Sequence, residues 1–303
     1  MKKLVEYFKN PYKVFLPLAS RGFFDLMPDE QYLKLMFRAR MGKKLNLKEP
    51  RTFNEKLQWL KLHDRKNQYT SMVDKFEEKK YVSEKVGEEY AVPTLGIWDN
   101  FDEIDFKSLP NEFVLKCTHD SGGLVICRDK SKIDLNQVKQ KIDKSLKNDY
   151  YKWAREWPYK NVKPRIIAEP LLKDDVIDGE QECLTDYKFF CFDGVPRILY
   201  ISKDKAKNPT TDFFDMDYNH LPIRMRDPNS SILPSKPLHF DEMKKIASIL
   251  SKGFPHLRVD FYSANNSLYV GELTFYHCSG FAQIYPESWE IKMGDWIELA
   301  NVK

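Results

Sequence analysis

Residues 113–127 read FVLKCTHDSGGLVIC, and this stretch decides how we interpret the rest of the chain. Two apolar runs, FVL and LVI, are rich in residues that favour β-strands, and they flank a short polar loop. The paired glycines Gly122 and Gly123 permit the positive φ angles that a tight loop needs. Backbone N–H groups of such a loop can bind an anion, and Lys116 on the preceding strand adds a positive charge. The stretch predicts either a hairpin with a phosphate site or an ordinary hairpin with a solvated lysine.

Two apolar segments further along the chain each carry one notable charge. Residues 165–172, RIIAEPLL, predict a short buried strand with a single carboxylate, Glu169. Residues 185–201 predict a hairpin with Lys188 in its first strand, because Asp193-Gly194 is a strong two-residue turn signal. Lys188 is either a candidate site residue or a strand-face partner of Asp186.

The last predicted hairpin brings two carboxylates together. Residues 257–275 read LRVDFYSANNSLYVGELTF, with a turn at Asn265-Asn266, so Asp260 and Glu272 fall on paired strands near one end of a sheet. Two such carboxylates repel each other unless a cation lies between them. Mg²⁺ prefers oxygen ligands and shares them with substrate phosphates, so it fits that position. The alternative is a pair of solvated surface carboxylates.

The first ninety residues are predicted to be mainly helical. Residues 29–41 carry apolar side chains at helical spacing, and TFNE at 52–55 matches a capping box that opens the next helix. One helix is predicted over residues 68–86. The basic and aromatic residues near the N-terminus could form an amphipathic segment on an anionic lipid surface, or a helix packed on the body of the protein.

The composition limits the class of protein. The chain has 303 residues, of which 42% are hydrophobic, enough for two or three subdomains with a real core. Charged residues make up 31%, but the net charge is only +4 with both signs interleaved, which argues against a nucleic-acid partner. The five cysteines form no CxxC pair, and no apolar run approaches the roughly 20 residues of a membrane span. We expect a soluble cytoplasmic protein with reduced thiols.

Taken in order, these motifs resemble the ATP-grasp superfamily from about residue 74 onward. More narrowly, TFNEKLQWLKL from residue 52, DYKFFCFDG from residue 186 and VGELTFYHCSGF from residue 270 resemble the TupA-like branch associated with bacterial surface polysaccharide synthesis. The resemblance implies an α+β fold in which two subdomains clasp ATP, with an N-terminal helical region. We predict a helical substrate-side region at 1–90, a small subdomain with the phosphate loop at 91–165, and a large subdomain with the metal site at 166–303.

The resemblance also implies nucleotide contacts, using ATP and Mg²⁺ as cofactors. Lys75 and Lys116 would hold the α- and β-phosphates, although Lys75 could be a surface helix lysine. Ser121, Gly122 and Gly123 would close over the phosphates as a mobile lid. The hinge against adenine would begin at Glu169 and include Leu172.

Catalytic and metal roles are implied for a second group of residues. Lys188 would reach the γ-phosphate, Arg258 would stabilise the anionic acyl intermediate, and Asp260 and Glu272 would bind Mg²⁺. Most ATP-grasp relatives have asparagine where this chain has Thr274, which puts a second metal position in doubt. A base for an incoming amine could be His277, although a lone histidine near a turn is more often a packing residue.

The implied activity joins a carboxylate to an amine at the expense of ATP. In this branch the carboxylate would belong to a sugar or glycan, and the amine to an amino acid or another amine. Arg224 and Arg226 could clamp a uronate or an amino-acid carboxylate, or be surface charges. Two alternatives stay open: a glycosyltransferase using Asp215-Met216-Asp217, which requires two Rossmann-like halves, and a non-catalytic nucleotide- or polymer-binding module.

Overall fold

The computed structural model describes residues 10–175, 184–203 and 208–302. Most of the predicted lipid-binding segment and Cys183 lie outside these ranges. So do residues 176–182 and 204–207.

Helices fill most of the described chain up to residue 90 and recur later. The α-helices are α1 Phe15–Ala19, α2 Asp29–Met41, α3 Phe53–His63, α4 Asn67–Val73, α5 Glu77–Val86, α6 Leu135–Leu146, α7 Tyr150–Ala154, α8 Phe240–Ser251 and α9 Glu287–Asp295. Short 3₁₀ turns lie at Pro11–Val14, Glu88–Tyr90, Phe101–Glu103, Lys130–Lys132, Trp157–Asn161, His277–Gly280 and Leu299–Asn301.

Strands form two larger sheets and a small ribbon. Their bounds are β1 Gly96–Trp98, β2 Phe113–Cys117, β3 Leu124–Cys127, β4 Ile166–Pro170, β5 Asp186–Phe192, β6 Val195–Lys203, β7 Thr210–Phe214, β8 Arg224–Met225, β9 Leu257–Ala264, β10 Ser267–Thr274 and β11 Ile284–Tyr285. Every pair of these strands is antiparallel. The predicted α+β class is confirmed.

The helix predicted at residues 29–41 and the capping box predicted at residues 52–55 are both confirmed. Helix α2 ends at Gly42, whose φ of 71° is the left-handed geometry of a glycine stop signal. Helix α3 opens with the predicted capping box: the Thr52 hydroxyl accepts from the Glu55 N–H at 3.3 Å, and the Glu55 carboxylate accepts from the Thr52 N–H at 3.1 Å. Each cap satisfies backbone groups that a helix end leaves unpaired.

The prediction of a single helix over residues 68–86 is wrong, because the helix is interrupted between Val73 and Glu77 and forms α4 and α5. The Asp74 carboxylate accepts from the backbone N–H groups of Phe76 at 2.8 Å and Glu77 at 3.2 Å, so it caps α5 instead of continuing α4. The spacing of apolar residues does not reveal that the Asp74 side chain competes with the helix for these backbone N–H groups. The break turns Lys75 toward the glycine loop, where its backbone N–H donates to the Thr118 carbonyl at 3.1 Å.

The first sheet has the strand order β1-β4-β2-β3 and contains the predicted hairpin of residues 113–127. Strand β4 lies between β1 and β2, so this sheet extends to Pro170. The predicted subdomain boundary at residue 165 precedes β4. We propose placing it after Pro170.

The predicted reason for the paired glycines is wrong. Neither Gly122 nor Gly123 has a positive φ. A Cβ on Gly123 would instead lie 2.5 Å from both the Cys117 sulfur and the Ser145 hydroxyl. Two hydrogen bonds also fix Gly123 in place. The Gly123 N–H donates to the Asp120 carboxylate at 3.0 Å, and the Gly123 carbonyl accepts from the Cys117 N–H at 2.8 Å. Close packing, and not backbone freedom, explains this glycine.

The second sheet has the order β10-β9-β5-β6-β7, and both predicted turns are confirmed. Asp193-Gly194 has φ angles of 45° and 80°, and Asn265-Asn266 has 55° and 57°. Two positive φ angles give the turn whose twist matches a hairpin. Helix α8 covers this sheet with Phe240, Met243, Ile246, Ala247 and Leu250, all buried.

Two further features concern the chain as a whole. Within the described ranges, no helix combines the length and apolar character needed to cross a bilayer. Cys117, Cys127 and Cys191 are free and buried, and Cys278 is free and half-buried.

Replacing Gly123 with alanine should destabilise the protein, since the new methyl group must displace the Cys117 and Ser145 side chains. Overpacking of this kind costs about 1–3 kcal/mol. At Gly122 an added Cβ meets one atom, at 3.4 Å, so Gly122→Ala is the matched control and should change the free energy of unfolding by less than about 0.5 kcal/mol. Urea denaturation measures both, and equal effects would contradict the packing explanation.

Candidate active site

The centre of the site is the guanidinium of Arg258 on β9. Arg258 is buried, and its Nε and Nη2 donate to the two oxygens of Asp260 at 2.7 and 2.8 Å. Nη2 also lies 3.0 Å from the Thr274 hydroxyl and 3.4 Å from Glu272. Burial alone would lower the pKa of Arg258, but the Asp260 carboxylate outweighs burial and raises the pKa. The cation between the two predicted metal ligands is therefore a guanidinium in this structure.

Lys188 on β5 reaches the same carboxylate from the neighbouring strand. Lys188 and Asp260 are register partners, and the ammonium lies 2.5 Å from Asp260 Oδ2 and 3.1 Å from Asp186. Burial lowers the pKa of Lys188, but these two carboxylates outweigh it and raise the pKa. The predicted pairing with Asp186 and the proximity to the metal residues thus occur together.

Glu272 is the more available of the two predicted metal ligands. It pairs with Asp260 across β9 and β10, yet about a third of its side chain is exposed. Both oxygens of Asp260 are held by cations, and Thr274 accepts from Arg258. Among the described residues no three His, Cys, Asp or Glu side chains form a metal site on their own. Glu272 together with nucleotide phosphates fits one Mg²⁺, which is commonly bound by one or two carboxylates plus phosphates.

His277 lies in the strained turn that follows β10. Its Nδ1 accepts from Arg258 Nη1 at 2.6 Å, and its Nε2 lies 3.5 Å from the Cys278 sulfur. Burial, reinforced by Arg258, lowers the pKa of His277 well below its ordinary value. A neutral imidazole that already accepts a hydrogen bond is a weak base, so this geometry favours positioning of Arg258 over proton abstraction.

The first sheet supplies a second cationic group around Glu169. This buried carboxylate on β4 lies 2.5 Å from the Lys116 ammonium and 2.6 Å from that of Lys79. Burial raises the pKa of Glu169, but the two lysines outweigh it and hold the pKa below its usual value. Leu172, predicted to contact the nucleotide, lies half-buried just beyond β4.

The predicted lid is anchored at one end. Ser121 and Gly122 are exposed, whereas Gly123 is buried and bonded to Asp120, whose other oxygen accepts from the Ser145 hydroxyl. The Lys75 ammonium donates to the Asp120 carbonyl at 2.5 Å, so Lys75 does reach this loop.

Glu78 on α5 marks where the two sheets meet. Its carboxylate accepts from the Leu273 N–H on β10 at 3.3 Å. Burial raises its pKa to about 8, Glu272 adds to the shift, and Lys75 and Lys79 oppose it. Helix α5 therefore contacts both sheets, because Glu78 reaches β10 and the neighbouring Lys79 reaches Glu169 on β4.

A comparison with family models identifies the family of this chain. The family model described as TupA-like ATPgrasp matches residues 55–298. The chain belongs to this family. No curated protein matches the sequence.

Solved ATP-grasp structures are also similar at low identity. The D-alanine–D-alanine ligase of Bacillus anthracis complexed with ATP is 15% identical over 75% of this chain, with a TM-score of 0.42. The Helicobacter pylori D-alanine–D-alanine ligase is 12% identical over 76%, with a TM-score of 0.39. The ATP-grasp ligase PsnB complexed with its minimal precursor is 10% identical over 69%, with a TM-score of 0.37. This chain spans 63%, 60% and 54% of those chains.

Sequence reasoning missed several residues of the candidate site in this TupA-like ATP-grasp protein. Glu78 and Lys79 fall in a charged run, EEKK, that gives no sign of which members are buried. Lys61 had a usable signal, since it lies four residues after Leu57 on the buried face of α3. Its ammonium donates to the Ser279 carbonyl at 2.7 Å and so supports the turn next to His277.

Replacing Glu169 with glutamine should destabilise the protein, because Lys116 and Lys79 lose their shared counter-charge. Breaking a buried pair costs about 3–5 kcal/mol, and partial exposure of the lysines reduces this to roughly 1–3. Since the folded pKa of Glu169 lies below its unfolded value, its contribution is present at neutral pH and lost as the pH falls through the folded pKa.

The free energy of unfolding should be measured for wild type and Glu169→Gln between pH 3 and 7, which brackets the ordinary carboxylate pKa of about 4. The difference should shrink below about pH 4. Glu112→Gln is the control, because Glu112 forms an exposed ion pair with Lys173 that should contribute less than about 1 kcal/mol. A difference that grows at acid pH would contradict the ion-pair assignment.

Proposed function

We propose that this TupA-like ATP-grasp protein is an ATP- and Mg²⁺-dependent carboxylate–amine ligase that acts through an acyl phosphate. The observation that carries the proposal is that helix α5 contacts both groups of charged residues: Lys79 shares Glu169 with Lys116, and Glu78 accepts from Leu273 next to Glu272. ATP would lie in the cleft between the two sheets, with Lys116 and Lys75 on one side and Lys188, Arg258 and Glu272 on the other. Such an arrangement suits phosphoryl transfer, in which enzymes contribute mainly positioning and charge neutralisation.

Each cation retains capacity to bind an anion. Arg258 has five N–H donors, and one N–H of Nη1 lacks an acceptor among the described residues. Lys188 has three donors, two of which face Asp260 and Asp186. These remaining N–H groups would stabilise negative charge on the transferred phosphoryl group and on the acyl intermediate.

In the proposed reaction a substrate carboxylate oxygen attacks the γ-phosphorus of ATP and ADP leaves. The nitrogen of the neutral amine then attacks the acyl carbon, the bond from that carbon to the phosphate oxygen breaks, one N–H proton passes to water or to the departing phosphate, and an amide results. Mg²⁺ would neutralise phosphate charge beside Glu272. Lys116 and Lys75 would hold the nucleotide phosphates, and the exposed tip at Ser121-Gly122 would restrict the access of water to the acyl phosphate.

The proposed carboxylate belongs to a bacterial surface polysaccharide or its precursor, and the amine to an amino acid or another amine. The likeness of the chain to the branch associated with polysaccharide synthesis supports this substrate class. A cytoplasmic location and weak membrane association through the N-terminus stay predictions.

The glycosyltransferase alternative receives no support from the fold. It requires parallel β-α-β units, whereas the paired strands of the described residues are antiparallel. The Asp215 carboxylate instead accepts from the backbone N–H groups of Asp217 and Asn219 in a tight turn. A non-catalytic binding module is separated from a ligase by the two variants below.

Lys116→Ala should weaken ATP binding at least tenfold, because it removes a charge-assisted contact to phosphate. Isothermal titration calorimetry with ATP and Mg²⁺ measures the loss. Lys80→Ala is the control, since Lys80 is exposed on α5 and pairs with the likewise exposed Glu84 at 3.8 Å. Equal ATP affinity in wild type and Lys116→Ala would contradict the nucleotide assignment.

Glu272→Gln should reduce ADP production about a hundredfold or more while leaving the fold and much of the ATP affinity intact. The amide removes one negative charge beside Mg²⁺, and a metal contributes several kcal/mol to such transition states. ADP release should be measured with candidate uronic acids and amino acids, and products identified by mass. Turnover within threefold of wild type would overturn the metal assignment.

A further inference from the structure

A separate cavity of about 830 Å³ lies beside the site and is lined by Arg40, Arg224 and Arg226. Arg40 comes from the last turn of α2, and Arg224 from β8. Arg226 follows β8 with a φ of 61°, a strained conformation for a residue with a Cβ. Three positive charges from separate parts of the chain therefore converge on one space.

These charges have few counter-charges in the protein. Among the described residues, no carboxylate lies within 4.0 Å of the three guanidinium groups, and Asp227 is the one acid that lines the cavity. Two arginines rest on aromatic rings instead, Arg40 at 4.9 Å from the Trp153 centroid and Arg224 at 5.6 Å from that of Tyr285. Unpaired guanidinium groups in a concave site favour a ligand with several negative charges.

The aromatic side chains indicate what else the ligand contains. Trp153 is 39% exposed and Tyr285 is 50% exposed, and both line the cavity. Exposed aromatic faces next to cations offer flat apolar surface to the C–H face of a sugar ring, while the arginines bind its acidic groups. The volume lies within the range of small-molecule sites and exceeds what a single ion needs.

The floor of the cavity connects to the candidate active site. Cys278 and Ser279 line it, and both have left-handed backbones with φ angles of 47° and 55°. Their neighbour His277 accepts from Arg258 at 2.6 Å. Lys61 stabilises this turn by donating a hydrogen bond to the Ser279 carbonyl.

The cavity also borders the glycine loop through Tyr150. This residue lines the cavity, and burial raises the pKa of its hydroxyl. The carbonyl of Asn148, two residues before Tyr150, lies 3.1 Å from His119 Nε2 in the glycine loop. The wall of the cavity at Tyr150 is therefore joined to this loop.

We propose that this cavity binds the acceptor sugar and that the sugar carries at least two anionic groups: the carboxylate that reacts, and a second carboxylate or a phosphate. The proposal rests on the proposed ligase function. Three arginines exceed what one carboxylate can use, since a single guanidinium already binds a carboxylate through two hydrogen bonds. The second group would anchor the sugar while the first is presented toward Arg258.

The test is direct binding by calorimetry, without ATP, of four probes to the full chain. Digalacturonic acid and glucuronic acid 1-phosphate carry two anionic groups, galacturonic acid carries one, and cellobiose carries none. We expect the two dianionic sugars to bind at least tenfold more tightly than galacturonic acid, and cellobiose not to bind. The preferred probe identifies the second group as a carboxylate or a phosphate.

Arg224→Gln and Arg226→Gln should each weaken dianion binding about tenfold or more, as expected for losing a charged hydrogen-bonding partner. Arg197→Gln is the matched control, because Arg197 is an exposed strand arginine whose guanidinium rests on the Trp296 ring at 5.5 Å. The affinity of the Arg197→Gln variant for the dianionic sugars should stay within twofold of that of the wild type. Unchanged affinity in the first two variants overturns the proposal.

Three further outcomes would also overturn it: no binding of either dianionic sugar at millimolar concentration, equal binding of cellobiose, or equal competition by inorganic phosphate alone. ATP affinity, measured in parallel, should be unaffected by Arg224→Gln. ADP release that depends on a carboxylate but is insensitive to both arginine variants would reject this cavity and keep the ligase. Dianion binding without any ADP release would reject the ligase and keep the cavity.

Discussion

The site depends on satisfying a buried guanidinium. Arg258 is buried on β9 of the second sheet, where an unpaired charge would cost several kcal/mol. Asp260 supplies two hydrogen bonds on the same strand, and Thr274 and His277 supply others from beyond the hairpin turn. Because these partners fix the guanidinium in one orientation, a reacting group would meet an arginine that is already positioned.

The same principle organises the opposite side of the cleft. Glu169 is buried between Lys116 and Lys79, so each side of the cleft holds its cations with a buried carboxylate. Carboxylate partners keep lysine and arginine protonated in a partly dry cleft, where burial alone would favour the neutral form. A nucleotide therefore meets charges that are already present and oriented.

The arginine cavity follows a different rule from the cleft. Its three arginines are exposed and have no carboxylate partners among the described residues, and Arg40 and Arg224 rest on aromatic rings. Paired cations suit a ligand that brings its own metal ion, because the local charge is nearly balanced beforehand. Unpaired cations suit a ligand that must bring the balancing charge itself, as an acidic sugar would.

The sequence by itself determined the local structure and the types of charged side chain that each element carries. Turn residues such as Asn265-Asn266 fix a hairpin, but the register of that turn alone leads Asp260 to Gly271. An irregularity between Val270 and Glu272 shifts the register so that Asp260 pairs with Glu272. Only the tertiary structure decided which groups neutralise each other. The break at Asp74, the packing of Gly123 and the burial of Glu78 all arise from contacts with distant segments, whose free energy outweighs local preference and leaves no periodic signal in the sequence.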